Sequence, residues 1–265
     1  MPRISIVTPT FNSEKYLETL IHSVEAQGYE YYEHIFIDNG STDKTQEIIK
    51  RYTDRHPCNV RLFVMPGLFV GAAVTIGFKL SKGDIVGWID SDDKYELGAW
   101  GKALIAFEKY SVDVVYGDTN IIDANGEFKR HLKARTFDIR EAARDDYRMF
   151  FCSTFYRREL LGKAGYLNDL GNQMDFYIRL AKQGKMVRIN ETLASWREHD
   201  NQYSNPYHPK WSWVVSTLFR QNYYLGLRNG GNIFSKRSIR YYRYLLFNVL
   251  GVYTLRRKLG LWRGD

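Results

Sequence analysis

The sequence predicts an α/β fold with a mostly parallel central sheet, followed by a mixed second half and a helical C-terminal tail. Two observations lead to this prediction. The first half of the 265-residue chain alternates short apolar runs with helical patterns, and this alternation is typical of right-handed βαβ units. The apolar content of 44% and the aromatic content of 15% suit a packed globular protein.

The first half is predicted to hold four strands, because four β-branched or apolar runs are each closed by a turn or helix-cap signal. Helical spacing of apolar residues separates them, beginning with Leu17, Leu20 and Val24 on one face. The predicted strands are Ile4–Thr8, His34–Asp38, Val60–Met65 and 84–89, and the later helices are Thr42–Arg55 and Leu68–Leu80.

The second half follows a different pattern, in which short strands and helices no longer alternate regularly. Asn125 and Gly126 form a hairpin turn signal between two polar segments. The predicted elements are helix Ala99–Tyr110, strands Val112–Tyr116, Thr119–Ile122 and Phe151–Arg157, and helix Gln173–Gln183.

Three carboxylates, Asp90, Asp92 and Asp93, follow the fourth predicted strand directly. Ligands of parallel sheets bind beyond the carboxyl ends of the strands. Crowded carboxylates repel one another, and Mg²⁺ or Mn²⁺ would offset that repulsion while leaving coordination positions for phosphate oxygens. The alternative is a solvated acidic turn that caps the next helix.

Asp38 ends the second predicted strand and therefore falls at the same edge of the sheet. Its carboxylate can accept from a nucleobase or ribose, and Gly40 permits a close backbone approach. Ser41 or Thr42 can cap the following helix. The same residues also suit a turn and cap without any ligand.

Four segments in this order resemble the family-two inverting glycosyltransferases: 5–12 (SIVTPTFN), 38–45 (DNGSTDKT), 83–93 (GDIVGWIDSDD) and 155–165 (FYRRELLGKAG). The resemblance covers about residues 3–204. It implies the GT-A fold, which is Rossmann-like, with a nucleotide-binding half over 1–98 and an acceptor half over 99–204.

The resemblance also implies roles for individual residues. Pro9 and Thr10 would line the nucleotide pocket, and Asp38 with Asn39 would contact the base or ribose. The Asp-x-Asp pair of the family corresponds to Asp90 and Asp92, so the donor diphosphate and a metal ion would be bound here, with Asp92 or Asp93 on the metal.

A later segment resembles the family's Arg-x-His stretch. Arg197 suits a phosphate of the donor, and His199 would approach the metal or the diphosphate. A solitary histidine also serves often as a structural or surface residue, so both interpretations of His199 stand.

An inverting transfer needs a general base that deprotonates the acceptor hydroxyl. The family places a carboxylate six residues before an Arg-Leu pair, which here is Arg179-Leu180 and leads back to Gln173. Glutamine cannot act as a base. The nearest carboxylate is Asp175, which is either the base or a residue that stabilises the start of the helix.

The C-terminal tail, 205–265, carries the whole basic excess of the chain. It contains eleven of the 38 Lys and Arg residues but one of the 30 Asp and Glu residues. Helices are predicted over 211–227 and 237–258, and their basic and aromatic residues suit an anionic membrane surface. A tail helix packed on the domain with solvated charges is the alternative. No recognition motif favours nucleic acid.

Compartment signals are few. Cys58 and Cys152 are too few for a disulfide framework, and no apolar signal segment opens the chain. The longest nearly uncharged run of the tail is shorter than the roughly 20 residues a spanning helix needs. These observations predict a cytoplasmic protein, peripheral on the inner face of the cell membrane.

The sequence therefore predicts a metal-dependent transfer of a sugar from a UDP-, GDP- or dTDP-sugar to a glycan or lipid-linked acceptor. A sugar-nucleotidyltransferase is one alternative, but it would need a Gly-rich, basic phosphate loop, and residues 9–12 (PTFN) do not form one. A non-catalytic nucleotide-sugar-binding module is the other, because Gln173 replaces the expected base.

Overall fold

The structure is a computed structural model that describes residues 3–139, 142, 148–167, 173–200 and 202. Apart from Ala142, these residues belong to one compact unit. The tail 205–265 lies outside the described residues, and so do its two predicted helices. Among the helices of the described part, none has both the length and the apolarity needed to cross a membrane.

The described residues form nine strands of one sheet: β1 Ile4–Thr10, β2 Tyr32–Asp38, β3 Val60–Val64, β4 Ile85–Trp88, β5 Lys94–Tyr95, β6 Val114–Ile122, β7 Phe128–Leu132, β8 Thr154–Arg157 and β9 Met186–Arg197. Their order in the sheet is β3-β2-β1-β4-β8-β6-β9-β5, with β7 paired to β6. The neighbouring strands β1 to β4 are parallel, and so are β6 and β9, whereas β5, β7 and β8 run antiparallel to their partners.

Helices cover both faces of the sheet. Successive residues of a strand point to opposite faces, and apolar residues of β1 lie on both of them. Ile6 packs on one face with Leu20 and Trp100, whereas Val7 packs on the other with Phe78 and Phe176. The first face carries α1 Leu17–Glu25, α2 Thr45–Arg55 and α4 Ala99–Tyr110; the second carries α3 Val70–Leu80, α5 Arg158–Ala164 and α6 Gln173–Gln183.

This architecture confirms the predicted α/β class and the mostly parallel sheet. Helices α4 and α6 have the predicted bounds. The division at residue 98 into two halves stays a prediction, since a single sheet continues across it from β4 to β5 through β8, β6 and β9.

Four predicted elements are wrong in detail. The two strands Val112–Tyr116 and Thr119–Ile122 are one strand, β6, with a register shift against β9 around Gly117. Residues Phe151–Ser153 form a 3₁₀ turn, so β8 begins only at Thr154. Helix α2 begins at Thr45 because residues 42–44 form the loop that follows β2.

Strand β9 was not predicted at all. Its polar and apolar residues do not alternate, because the strand is partly exposed over its first half and buried only near its end. It forms a strand since β6 and β5 supply hydrogen-bonding partners on its two sides. Tertiary pairing therefore decides this element.

Gly117 is required where β6 and β9 shift register. A β-carbon there would lie 2.4 Å from the Glu191 carbonyl oxygen and 2.8 Å from Leu193 Cγ. The next residue, Asp118, is buried and accepts from Arg188 Nη2 at 2.8 Å and from the Ala134 backbone N–H at 2.9 Å. These contacts determine how β9 lies against β6.

His34 is buried in β2, where Thr8 Oγ1 lies 3.0 Å from its Nε2 and the ring centroid of Phe36 lies 4.0 Å from that of His34. Burial lowers the pKa of His34 to about 3. In the unfolded chain the pKa returns to about 6.5. Below pH 6.5 the unfolded chain therefore binds a proton that the folded protein does not, and stability falls as the pH drops toward 3.

We expect His34→Leu to flatten this dependence, because leucine does not titrate. Between pH 7 and pH 5 the wild type should lose about 2 kcal/mol more of its unfolding free energy than the variant. Urea unfolding of both proteins at each pH measures the difference. Equal losses in the two proteins would show that His34 does not contribute to acid sensitivity.

Candidate active site at the carboxyl edge of the sheet

The acidic cluster, Asp90, Asp92 and Asp93, lies in the turn that links β4 to β5. The Ile89 N–H still donates to the Val7 carbonyl at 3.1 Å, after which the chain turns and the Asp93 N–H donates to the Asp90 carbonyl. One carboxylate oxygen of each of the three residues lies within 4.8 Å of the other two. The structure therefore brings the predicted cluster together.

Burial and mutual repulsion destabilise the charged forms of this cluster. Burial, and then the neighbouring Asp92, raise the pKa of Asp90 to about 7, against the hydrogen bond that Trp88 Nε1 donates to it at 2.9 Å. Burial, and then Asp92 and Asp90, raise the pKa of Asp93 well above its usual range. A cation between the carboxylates would relieve both effects.

Asp93 supplies the test of whether a cation fits. Its side chain is fully buried, Oδ1 accepts from the Arg197 N–H at 2.9 Å, and Oδ2 has no hydrogen-bond partner among the residues that the structure describes. A buried carboxylate oxygen without a partner is costly unless something positive reaches it. Three clustered carboxylates form a hard oxygen donor set, which suits Mg²⁺ or Mn²⁺. The residues present therefore fit a divalent cation.

The strap, defined here as Arg197, Glu198 and His199, begins at the last residue of β9 and lies against the cluster. His199 Nε2 lies 2.9 Å from Asp92 Oδ2, and the His199 ring packs against Tyr16 at 4.9 Å between centroids. His199 thus lies beside the cluster, where it contacts a carboxylate oxygen directly, and its role toward a metal or a diphosphate stays a prediction.

Arg197 has a different environment from the one predicted. Only 2% of the residue is exposed, its Nε donates to the Asp92 carbonyl at 2.8 Å, and its Nη1 donates to the Asp123 carbonyl at 3.1 Å. The guanidinium also lies 4.6 Å from the Tyr16 ring centroid. These contacts occupy the guanidinium with backbone and ring partners, so its geometry suits holding the acidic turn rather than binding a phosphate.

Asp38 is fully buried at the end of β2, and its carboxylate is occupied within the protein. Oδ1 accepts from Thr10 Oγ1 at 2.9 Å, and Oδ2 accepts from Gln46 Nε2 at 2.8 Å and from the Ser41 N–H at 2.9 Å. The arrangement shapes the loop after β2 and ties it to Thr10.

The loops after β1, β2 and β4 are joined by short polar contacts. Ser13 Oγ lies 2.7 Å from Ser91 Oγ, which links the first loop to the acidic turn. Asn39 accepts from the Leu68 N–H at 2.7 Å through its side-chain oxygen, and Pro9 is partly exposed beside Thr10. Of the predicted site residues, those of β1, β2 and β4 therefore lie along one edge.

Asp175 lies in the first turn of α6 and is not one of the three clustered carboxylates. Arg179 Nε donates to Asp175 Oδ2 at 3.0 Å, and the same guanidinium donates to the carbonyls of Gly165 at 2.7 Å and Tyr166 at 2.8 Å. Arg179 therefore connects Asp175 to the end of α5.

Three contributors to the site were missed by reasoning from the sequence: Tyr16, Ser13 and Glu198. The Tyr16 ring lies against both Arg197 and His199. Residues about 180 positions apart meet here, and no local signal could have indicated it.

Solved structures with similar folds include TarS 1–349 from S. aureus in complex with UDP-GlcNAc, with a TM-score of 0.64 and 18% identity over 82% of this chain and 65% of TarS 1–349. The mannosyltransferase PcManGT from Pyrobaculum calidifontis, in complex with GDP-Man and Mn²⁺, has a TM-score of 0.58 and 16% identity, covering 92% of this chain and 70% of that one. The fold is thus of the GT-A type.

Sequence comparison identifies the family. The family model described as "Glycosyl transferase family 2" matches residues 5–163, which is more than half of the chain. This protein belongs to glycosyl transferase family 2.

Relatives include an uncharacterized glycosyltransferase of Haemophilus influenzae, 44% identical over 94 residues, which are 35% of this chain and 37% of that protein. The putative teichuronic acid biosynthesis glycosyltransferase TuaG of Bacillus subtilis is 25% identical over 82% of this chain and 86% of its own length. Chondroitin synthase of Escherichia coli is 28% identical over 72% of this chain. The alignment spans little more than a third of the Haemophilus protein and 28% of chondroitin synthase.

Proposed function

We propose that this chain is an inverting glycosyltransferase that moves a hexose-type sugar from a nucleotide-diphosphate sugar to a hydroxyl of a glycan or lipid-linked acceptor. The observation that carries the proposal is the buried, unpartnered Asp93 Oδ2 within the acidic cluster, at the edge where the β1 and β2 loops meet. A cation-binding group beside a loop suited to a nucleotide is what a diphosphate donor requires.

The nucleotide would lie over the β1 and β2 loops. Pro9 and Asn39 would contact the base and ribose, and Thr10 and Asp38, which bond each other, would hold that surface in shape. Asp38 would shape the loop that contacts the nucleotide, since both of its carboxylate oxygens already accept hydrogen bonds from the protein.

The diphosphate would lie at the acidic cluster. Asp92 and Asp93 would hold Mg²⁺ or Mn²⁺, with Asp90 on the donor side and His199 beside Asp92. The bound ion would neutralise charge on the departing nucleoside diphosphate. Arg197 would keep the turn in place through the Asp92 carbonyl and the Asp93 carboxylate.

The acceptor hydroxyl needs a base, and Asp175 is our candidate. It would take the hydroxyl proton while the oxygen attacks the anomeric carbon from the face opposite the nucleotide. Arg179, which donates to Asp175 Oδ2, would hold the carboxylate in place for this proton transfer.

The printed names of similar proteins support the donor and pathway class. TarS was solved with UDP-GlcNAc and PcManGT with GDP-Man, so a UDP-, GDP- or dTDP-sugar is the donor class we propose. TuaG and chondroitin synthase suggest cell-surface polysaccharide synthesis. The cytoplasmic, membrane-peripheral location depends on the tail beyond residue 204, and liposome flotation of a chain ending at Asn205 would test it.

The proposed reaction predicts that nucleoside diphosphate is released from one donor class with Mn²⁺ and not with excess EDTA. Asp92→Ala should lower that release about a thousandfold, because it removes a metal-binding oxygen worth several kcal/mol in the transition state. Release is measured with UDP-, GDP- and dTDP-sugars in turn, on wild type and variant.

A non-catalytic binding module remains the second candidate, favoured by the engagement of Asp175 with Arg179. Metal-dependent binding of a nucleotide sugar without any release of nucleoside diphosphate would assign the chain to that class. Absence of both binding and release would refute the donor site itself.

A further inference from the structure

We propose that the hairpin formed by β6 and β7 positions the metal site, and that Glu198 is the residue through which it does so. The inference rests on the metal-dependent function proposed above. Glu198 would be a positioning residue. Its contacts with the hairpin would hold the strap in place, and the two other strap residues, Arg197 and His199, contact the acidic cluster.

The strap contacts the acidic cluster on both sides of Glu198. The preceding residue, Arg197, donates its N–H to Asp93 Oδ1 at 2.9 Å and its Nε to the Asp92 carbonyl at 2.8 Å. The following residue, His199, lies 2.9 Å from Asp92 Oδ2 through Nε2. Any shift of Glu198 would therefore move groups that touch two of the three carboxylates.

The hairpin also contacts the strap, through hydrogen bonds and ion pairs to Arg197 and Glu198. The Glu198 N–H donates to the Ile122 carbonyl at 2.9 Å at the end of β6, and Arg197 Nη1 reaches the Asp123 carbonyl in the turn. The Glu198 carboxylate accepts from Lys129 Nζ at 2.7 Å. Arg130 donates to both of its oxygens, one through Nη1 at 3.1 Å and the other through Nη2.

The Arg130 contact is directional, because a guanidinium that donates to both oxygens of one carboxylate fixes its orientation. The two basic residues come from β7, which lies off the main path of the sheet and pairs with β6. Strand β6 also pairs with β8 and β9, so the hairpin is anchored in the sheet. Glu198 thus joins β7 to the segment that carries His199.

The alternative is that the Glu198 ion pairs only stabilise the fold. The expected contribution of these pairs to folding stability distinguishes this alternative from a positioning role. The side chains of Arg130 and Lys129 are 50% and 43% exposed, and exposed ion pairs contribute roughly 0–1 kcal/mol to stability. A change in metal affinity without a matching loss of stability would therefore indicate positioning.

The test is to measure the dissociation constant for Mn²⁺ by electron paramagnetic resonance of the free ion, on the full chain, with urea unfolding of every variant. We expect Glu198→Gln to weaken Mn²⁺ binding about tenfold, as removal of an outer-shell partner does. Arg130→Gln should weaken it similarly. The double variant should bind as weakly as Glu198→Gln, because both changes break one contact.

Glu191→Gln is the matched control. Glu191 lies on the same strand, β9, and forms an ion pair with Lys102 at 2.8 Å, away from the strap. The control should bind Mn²⁺ as the wild type does.

Three results would overturn the inference: unchanged Mn²⁺ affinity in Glu198→Gln, an equal loss in Glu191→Gln, or multiplying losses in the double variant. If the wild type itself binds no Mn²⁺, the proposed function fails together with the inference. If the wild type binds Mn²⁺ and Glu198→Gln binds it equally well, only the role of the hairpin fails.

Discussion

Asp93→Asn is expected to stabilise the protein without metal and to abolish both its response to Mn²⁺ and its transfer activity. The asparagine keeps an oxygen that can accept from the Arg197 N–H, as Asp93 Oδ1 does at 2.9 Å. It replaces the buried, unpartnered Oδ2 with an amide group that bears no negative charge beside Asp90 and Asp92. Burial and those neighbours raise the pKa of Asp93, which means that its charged form destabilises the fold.

The measurement is the melting temperature of wild type and variant with EDTA and with Mn²⁺. Each kcal/mol gained should raise the melting temperature by about 2–4 °C in a domain of this size. Mn²⁺ at a hundred times its dissociation constant should stabilise the wild type by about 2.7 kcal/mol and the variant not at all. Release of nucleoside diphosphate should fall about a thousandfold.

Asp84→Asn is the control for this prediction. Asp84 precedes the same strand, β4, at its opposite end, where its Oδ2 accepts from the Arg3 N–H at 3.0 Å. It should leave the Mn²⁺ response intact. A variant Asp93→Asn that gains stability from Mn²⁺ as the wild type does would show that Asp93 is not a ligand.

Gly117→Ala is expected to cause the largest loss of folding stability, about 3 kcal/mol. The added methyl group would lie 2.4 Å from the Glu191 carbonyl oxygen, which is backbone and cannot rotate away. Relief requires β9 to move from β6. Because β9 leads into the strap, we also expect weaker Mn²⁺ binding in the fraction that remains folded.

Gly101→Ala provides the matched comparison, with the opposite sign. Gly101 lies in α4 on an exposed face, and nothing lies within 4 Å of the β-carbon it would gain. Alanine should stabilise the helix by about 0.5–1 kcal/mol. Urea unfolding of the three proteins measures both effects, and a loss under 1 kcal/mol in Gly117→Ala would show that β6 and β9 separate easily.

The first half of the fold was predictable because its signals are local. Strands β1, β2 and β4 are nearly continuous buried runs, as expected where helices cover both faces of a parallel sheet. Helix α4 could be bounded from its apolar spacing alone. In contrast, β9 and the turn at Phe151–Ser153 depend on partners far along the chain.

The candidate site divides in the same way. The cluster of Asp90, Asp92 and Asp93 was predictable, since three carboxylates directly after a buried strand must meet at its end. The contacts of Arg197 could not be predicted from the sequence. Its residue type suggests a phosphate contact, but burial on Tyr16 and bonding to the Asp92 carbonyl give the guanidinium other partners.

By itself, the sequence determined the class of fold, the order of the first strands and the place of the acidic cluster, because hydrophobic periodicity and adjacency along the chain are sufficient for these. The tertiary structure decided which groups surround that cluster. The strap reaches it only because β9 pairs with β6 and ends beside Asp92 and Asp93, more than a hundred residues later in the chain. Contacts between distant segments depend on packing and backbone pairing, and these leave no local pattern in the residues that make them.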